Sequence, residues 1–291
     1  MPGAWTWVWS PHPLGLAVVG ACAIAYIVAL RRLGPAHAPL GGVVTPAQVT
    51  AFTAGLVALA VAVSWPVADL ARHASVTAHV VQQLLLVLAV PPLVLLGLPR
   101  WLLALATRSP RMDSAFSRAT HPVLAFLIFN AAVVVAWLPA VVGAESRNPA
   151  VDAAVLGMLV AAGFMMWTPA LRVVPGTAQL STAARITYLF AQSVVFNLPA
   201  LVLIFARHPL YPVLAARVAS LGLSPVTDQQ VAGAVAKIAG VVVLLGAVGL
   251  VLARAQHREE AGRDPDPLLW DDVERELQRL ERRSKGPSEA G

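Results

Sequence analysis

Seven long apolar runs constrain this chain more than any other feature of its sequence. They lie at about residues 14–31, 47–66, 76–98, 121–142, 153–174, 184–206 and 229–253. Each reaches or approaches the roughly 17 to 25 residues that a helix needs to cross bilayer hydrocarbon. Only 12% of the residues are charged and 58% are hydrophobic, whereas soluble domains carry about 25% charge. The expectation is an all-α, polytopic integral membrane bundle of seven transmembrane helices within residues 1–253. The first run is the shortest, and Pro11 and Pro13 blur its start. Six is the count if that run lies in the interface.

The basic residues orient the bundle. With seven spans, one side holds Arg31, Arg32, Arg100, Arg108, Arg111, Arg118, Arg172, Arg185 and the C-terminal tail, sixteen of the 21 Lys and Arg. The other side holds Arg72, Arg147, Arg207 and Arg217, and Lys237 lies inside the seventh run. The positive-inside rule then places the N-terminus outside and the C-terminus in the cytoplasm. The net charge of +6 is explained by this topology and by anionic headgroups, so the bilayer is the expected partner and nucleic acid is not. No cleavable signal is expected, because MPGAWTWVWSPHP lacks a basic region. Trp5, Trp7 and Trp9 suit an aromatic belt at the interface. Cys22 is the single cysteine, which excludes an intrachain disulfide.

Residues 254–291 form a second, charged unit, expected in the cytoplasm. RAQHREEAGRDPDP is read as a polar linker, followed by a short amphipathic helix over about 268–284. Leu268, Val273, Leu277 and Leu280 lie near one helical face there. Asp271 and Asp272 precede the arginines, an order that suits the helix dipole.

A few polar residues interrupt the apolar runs. His79 lies about one turn into the third span, with Gln82 beside it and Gln83 on the same face four residues on. Asn130 falls in the fourth span, Gln192 and Asn197 in the sixth, and Lys237 in the seventh. Lys237 is about 12 Å from the outer end of its span at 1.5 Å per residue. A charge at that depth costs roughly 2.5–3.5 kcal/mol on insertion scales, so such residues normally face the bundle interior. Pro91 and Pro92 free carbonyls near Val87 and Leu88 and predict a kink in the third helix. Pro139, Pro169 and Pro199 repeat the effect in spans four to six.

The run HVVQQLLLVLAVPPLVLLGLP, from His79 to Pro99, resembles the signature of the CtaG-type cytochrome c oxidase assembly factor family of the caa3 oxidase pathway. That signature is a His-x-x-Gln-His-x-Leu-Leu core followed by Pro-Pro-Leu and Gly-x-Pro. Three later segments agree: AWLP at Ala136–Pro139, FMMWTPAL at Phe164–Leu171, and SPVTDQQVAGAV at Ser224–Val235. The resemblance runs in order from about residue 45 to 250. It implies a membrane protein of the bacterial plasma membrane that aids maturation of a haem–copper oxidase, around its copper centres. The implied partners are cytochrome c oxidase subunits or a copper chaperone.

The departures bear on copper. Gln83 stands where the family core has its second histidine, and Ala136-Trp137-Leu138-Pro139 lacks the histidine of a Trp-His-Leu-Pro pattern. The fifth span offers Asp152 and Met158 where histidines are expected. An amide lacks the basic nitrogen that imidazole offers copper. His79 is therefore the remaining metal candidate, with His73 able to approach from the loop; a hydrogen-bonding role for His79 stays open.

Two functions remain. The first is a non-catalytic assembly factor acting through an outer-face cluster of His79, Gln82, Gln83, Asp228, Gln229 and Gln230. The second is a membrane transporter for copper or a small solute, with Asn130, Gln192, Asn197 and Lys237 along its path. No internal repeat and no acidic residue within a span support transport. An enzyme is not expected: the sequence has no Gly-rich phosphate loop, no His-Glu-x-x-His and no Gly-x-Ser-x-Gly.

Overall fold

A computed structural model describes residues 12–38, 42–106, 116, 118, 120–173 and 180–260, with side chains to 256. Every regular element among them is helical. Helix α1 covers Pro13–His37, α2 Pro46–Val63, α3 Val67–His73 and α4 Val76–Leu84. A π-helical turn over Leu85–Ala89 joins α4 to α5, Val90–Gly97. Then follow α6 Arg100–Ala106, α7 Pro122–Ala136, α8 Pro139–Glu145 and α9 Pro149–Leu171. The chain continues through α10 Thr182–Phe196, α11 Leu198–Phe205, α12 Pro212–Ser220 and α13 Pro225–Glu260.

Proline opens α1, α2, α7, α8, α9, α12 and α13. It suits a first helical position because its missing N–H has no intrahelical acceptor there. Side chains cap several of these starts. Thr45 and Gln48 form a reciprocal capping box on α2, and Ser75, Asn148 and Ser181 accept from backbone N–H groups of α4, α9 and α10.

Among the described residues, six helices are long and apolar enough to cross a membrane: Pro13–His37, Pro46–His73, Val76–Gly97, Pro149–Leu171, Thr182–Phe205 and Pro225–Gln256. The expected fourth span at 121–142 is not a straight helix. It is broken into α7 and α8, which meet at 68°, and counts as a seventh span if the bent pair is one crossing. Pro139 is the cause, since it cannot donate to a carbonyl of the preceding turn. The residues around the break find other partners. Trp137 N–H bonds to Val133 O at 3.1 Å, and Trp137 O accepts the Tyr211 hydroxyl at 3.0 Å.

The continuous helix α4–α5 is the most buried of these spans and α1 the least. It packs against α2, α9 and α13, while α13 also packs along α10 and α11. The Pro91–Pro92 kink takes the form of the π-helical turn. The Val87 carbonyl, four residues before Pro91, accepts the Trp167 indole N–H at 2.9 Å. A neighbouring helix thus satisfies the group that proline released. Gly97 lets α5 touch α2, because a Cβ there would lie 2.5 Å from the Phe52 backbone nitrogen. Its carbonyl accepts the hydroxyl of Tyr26, whose ring stacks on Phe52.

Two sequence expectations meet the structure at the C-terminus. Helix α13 runs on to Glu260, past the expected boundary at 253, so residues 254–260 continue the helix rather than begin a linker. The expected helix at 268–284, the interfacial Trp5, Trp7 and Trp9, and Arg108 and Arg111 lie outside the described residues.

Candidate functional site

The polar residues gather at the end of the bundle where α4 and α13 begin. Asp228, in the first turn of α13, reaches across to the start of α4. Its carboxylate accepts from Ser75 Oγ and from the backbone N–H of Val76, both at 2.7 Å, and its own carbonyl accepts the Thr77 hydroxyl at 2.9 Å. A negative charge at a helix N-terminus meets unpaired N–H groups and the positive end of the dipole. The next residue, Gln229, is buried and turns the other way. Its Oε1 accepts from Leu210 N–H at 2.7 Å, tying α13 to the segment after α11.

One turn into α4, a hydrogen-bond chain runs from α7 to His79. The Trp137 indole Nε1–H donates to Gln83 Oε1 at 2.5 Å, and Gln83 Nε2 lies 2.9 Å from His79 Nε2. Indole nitrogen is only a donor, so it fixes which end of the Gln83 amide faces it. Gln83 Nε2 is then the donor to His79, and His79 Nε2 must accept. The imidazole is thereby held in the tautomer with its proton on Nδ1.

The same His79 Nε2 stands 3.7 Å from Glu145 Oε2, at the end of α8. Glu145 is 2% exposed, and neither carboxylate oxygen has a hydrogen-bond partner among the described residues. An accepting nitrogen thus faces an unsatisfied carboxylate in a closed site, an arrangement that calls for a proton or an incoming donor. Tyr211 flanks it. Burial, and after it the charge of Glu145, push the Tyr211 phenol up to about 12, so the hydroxyl stays protonated and donates to Trp137 O.

A second polar group lies beside this one. Arg72, near the end of α3, pairs with the Asp152 carboxylate on the first turn of α9. Arg217 of α12 donates to the Arg72 carbonyl, at 2.5 Å. Arg72, Asp152 and Gln82 also line a largely apolar cavity of about 820 Å³ between α1, α2, α5 and α9.

The expected outer cluster is therefore one neighbourhood but not one hydrogen-bonded unit. His79 and Gln83 share a chain with Trp137, while Gln82 donates to Ala62 O at 2.8 Å. Asp228 and Gln229 bond in different directions, and Gln230 is exposed. The cause is helical geometry: successive residues point about 100° apart, so three adjacent polar side chains cannot converge. His73 is exposed at the end of α3 and is not a hydrogen-bond partner of His79.

The intramembrane polar residues do not surround a common path. Asn130 Nδ2 donates to Gln192 Oε1 at 3.2 Å, and Asn197 Nδ2 donates to Ser193 O on its own helix. Lys237 does not face the interior as expected but lies on the exposed side of α13. Gly233 and Gly240, four residues before it and three after, pack against Ala200 and Phe196, so Lys237 stands at the border of the seam with α10 and α11.

Sequence reading missed Glu145, Trp137 and Tyr211 as members of the site, and the Arg72–Asp152 pair. Glu145 counts as loop if the fourth span is straight; only the bend at Pro139 returns it beside His79. The one available signal was the tryptophan immediately before Leu138-Pro139. No group of three His, Cys, Asp or Glu suited to a metal ion occurs among the described residues.

A family model described as cytochrome c oxidase caa3 assembly factor matches residues 24–258. No curated protein and no solved structure matches the chain.

Proposed function

We propose that the chain, which belongs to the cytochrome c oxidase caa3 assembly factor family, is a non-catalytic assembly factor of a bacterial plasma membrane. In this reading it holds a haem–copper oxidase subunit, or a copper chaperone, while the copper centres of the oxidase mature. The orientation that fits places the His79 end outside, as the distribution of basic residues requires. The single observation that supports the reading most is the acceptor pair of His79 and Glu145, buried and framed by Gln83 and Trp137. The Glu145 carboxyl group, left without a hydrogen-bond partner among the described residues, suits a partner that brings an N–H, an O–H or a cation. Copper is cargo here and ends in the oxidase, because one imidazole and one carboxylate make an incomplete set for a resident centre.

The test is a chromosomal deletion complemented by wild type, His79→Ala or Glu145→Ala. Assembled, copper-loaded oxidase falls in the deletion and in both variants, while oxidase transcript stays unchanged. Normal oxidase activity in the deletion strain ends the reading. Copper measured after purification of wild type and His79→Ala is equal if copper has no resident site.

A further inference from the structure

Lys237 presents a charge at the border between the packed seam of α13 and the face that meets lipid. It has no hydrogen-bond or ion-pair partner among the described residues, and it is exposed. Farther round α13, Val231, Ile238 and Val242 are 45%, 64% and 63% exposed, whereas Gly233 and Gly240, four and three residues from Lys237, are buried. Its depth is set by Asp228, which is bonded to the first turn of α4. Nine residues separate the two, about 14 Å along a helix axis. That brings Lys237 level with the middle of the Val76–Gly97 span, where acyl chains solvate an ammonium poorly. Gln230 stands two turns earlier on the same side and is also exposed. Two polar groups thus mark one edge of an apolar helix face.

We propose that this edge, Gln230 to Lys237 on α13, docks a single transmembrane helix of a partner protein that carries an aspartate or glutamate at the depth of Lys237. The charge dictates the choice of occupant. A second copy meeting this face about a two-fold axis sets lysine near lysine, and like charges in hydrocarbon repel. An apolar helix leaves the ammonium unpaired. A carboxylate on the incoming helix satisfies it, and polar pairs of this kind hold membrane helices together. Gln230 then offers an amide to the partner nearer the membrane surface. The proposal rests on the assembly reading and adds the feature by which a client subunit is recognised.

The test uses the full chain in phosphatidylcholine vesicles with synthetic 24-residue Leu/Ala transmembrane peptides. One peptide carries a single mid-helix glutamate, one glutamine and one lysine, and association is read by energy transfer between labels. The glutamate peptide binds at least fivefold more tightly than the glutamine peptide. That preference disappears in Lys237→Leu, which keeps the wild-type melting temperature, and Lys237→Glu reverses it toward the lysine peptide. Equal binding of all three peptides to the wild type means that Lys237 reaches lipid headgroups instead, and overturns the proposal. So does a glutamate preference that survives in Lys237→Leu. In the deletion strain, full oxidase assembly with Lys237→Leu removes the docking proposal and leaves the assembly reading standing; full assembly with no complementing gene removes the assembly reading itself.

Discussion

His79 Nε2 and Glu145 Oε2 face each other at 3.7 Å in a buried site that offers neither of them a satisfying donor beyond Gln83. They come from helices 66 residues apart in sequence, brought together where α8 bends back from α7. Leaving a carboxylate this buried without hydrogen bonds costs stability. Such local costs concentrate at functional sites.

Replacing the acid by its amide relieves that cost. Glu145→Gln keeps the shape and supplies an N–H toward His79. The variant gains stability of the order of 1–3 kcal/mol, the usual penalty of an unsatisfied buried polar group. Its melting temperature in detergent rises while assembled oxidase in the complemented deletion strain falls. A lower melting temperature shows that Glu145 already has its donor in the native protein.

The Trp137 indole sets the His79 tautomer through Gln83. Trp137→Phe removes the donor and strands Gln83 Oε1 in the core, which destabilises the protein by about 1–3 kcal/mol. Adding Gln83→Leu recovers part of that loss, because no acceptor is then left unpaired. Nitrogen chemical shifts of the His79 ring report Nδ1 protonation in the wild type and a mixture of tautomers in Trp137→Phe.

Asp228 clamps α13 to the first turn of α4. Asp228→Ala loses hydrogen bonds to Ser75 Oγ and Val76 N–H, charge-assisted contacts worth about 1.5–3 kcal/mol each before rearrangement. Amide exchange of Val76 and Thr77 accelerates, and that of the middle of α4 does not. Uniform acceleration along α4 means that the clamp secures the whole helix pair.

The Arg72–Asp152 pair calls for a double-mutant cycle. Its side chains are 24% and 10% exposed, so removing one partner costs less than the roughly 3–5 kcal/mol of a fully buried pair. Arg72→Leu and Asp152→Leu each lower the melting temperature. The double variant is more stable than the sum of the two losses implies, with a coupling of about 0.5–3 kcal/mol. Strict additivity in the cycle shows that the two charges do not interact.

Gly97 tests the packing of the central helix. A methyl group there meets Phe52 N and Cα at 2.5 and 2.6 Å, and backbone cannot rotate away as a side chain does. Gly97→Ala pushes α2 off α5, costs about 1–3 kcal/mol and weakens the Tyr26 bond to the same carbonyl. Gly157→Ala, in the interior of α9 where a Cβ meets no atom of another element within 4 Å, costs nothing and gains about 0.5–1 kcal/mol of helix propensity.

The apolar runs by themselves determined that the chain is helical, with helices long and apolar enough for a membrane. Hydrocarbon demands long unbroken helices, and prolines and capping residues punctuate them locally, so that information sits in neighbouring residues. The kink at Pro91 and Pro92 was legible for the same reason. The site was legible only in part. His79 and Gln83 share a helix face four residues apart, which periodicity reveals, but the acid opposite them depends on a 68° bend at Pro139. Whether a proline kinks a helix slightly or folds it back is decided by the packing around it, here by Tyr211 on the Trp137 carbonyl and by α9 against α7. Likewise, depth and the cost of a charge in hydrocarbon pointed Lys237 inward, and the structure leaves it exposed. Its position at the border of the seam follows from how closely α13 packs on α10 and α11, at Gly233 and Gly240 beside it, and such close contact between distant segments exists only once the bundle is assembled.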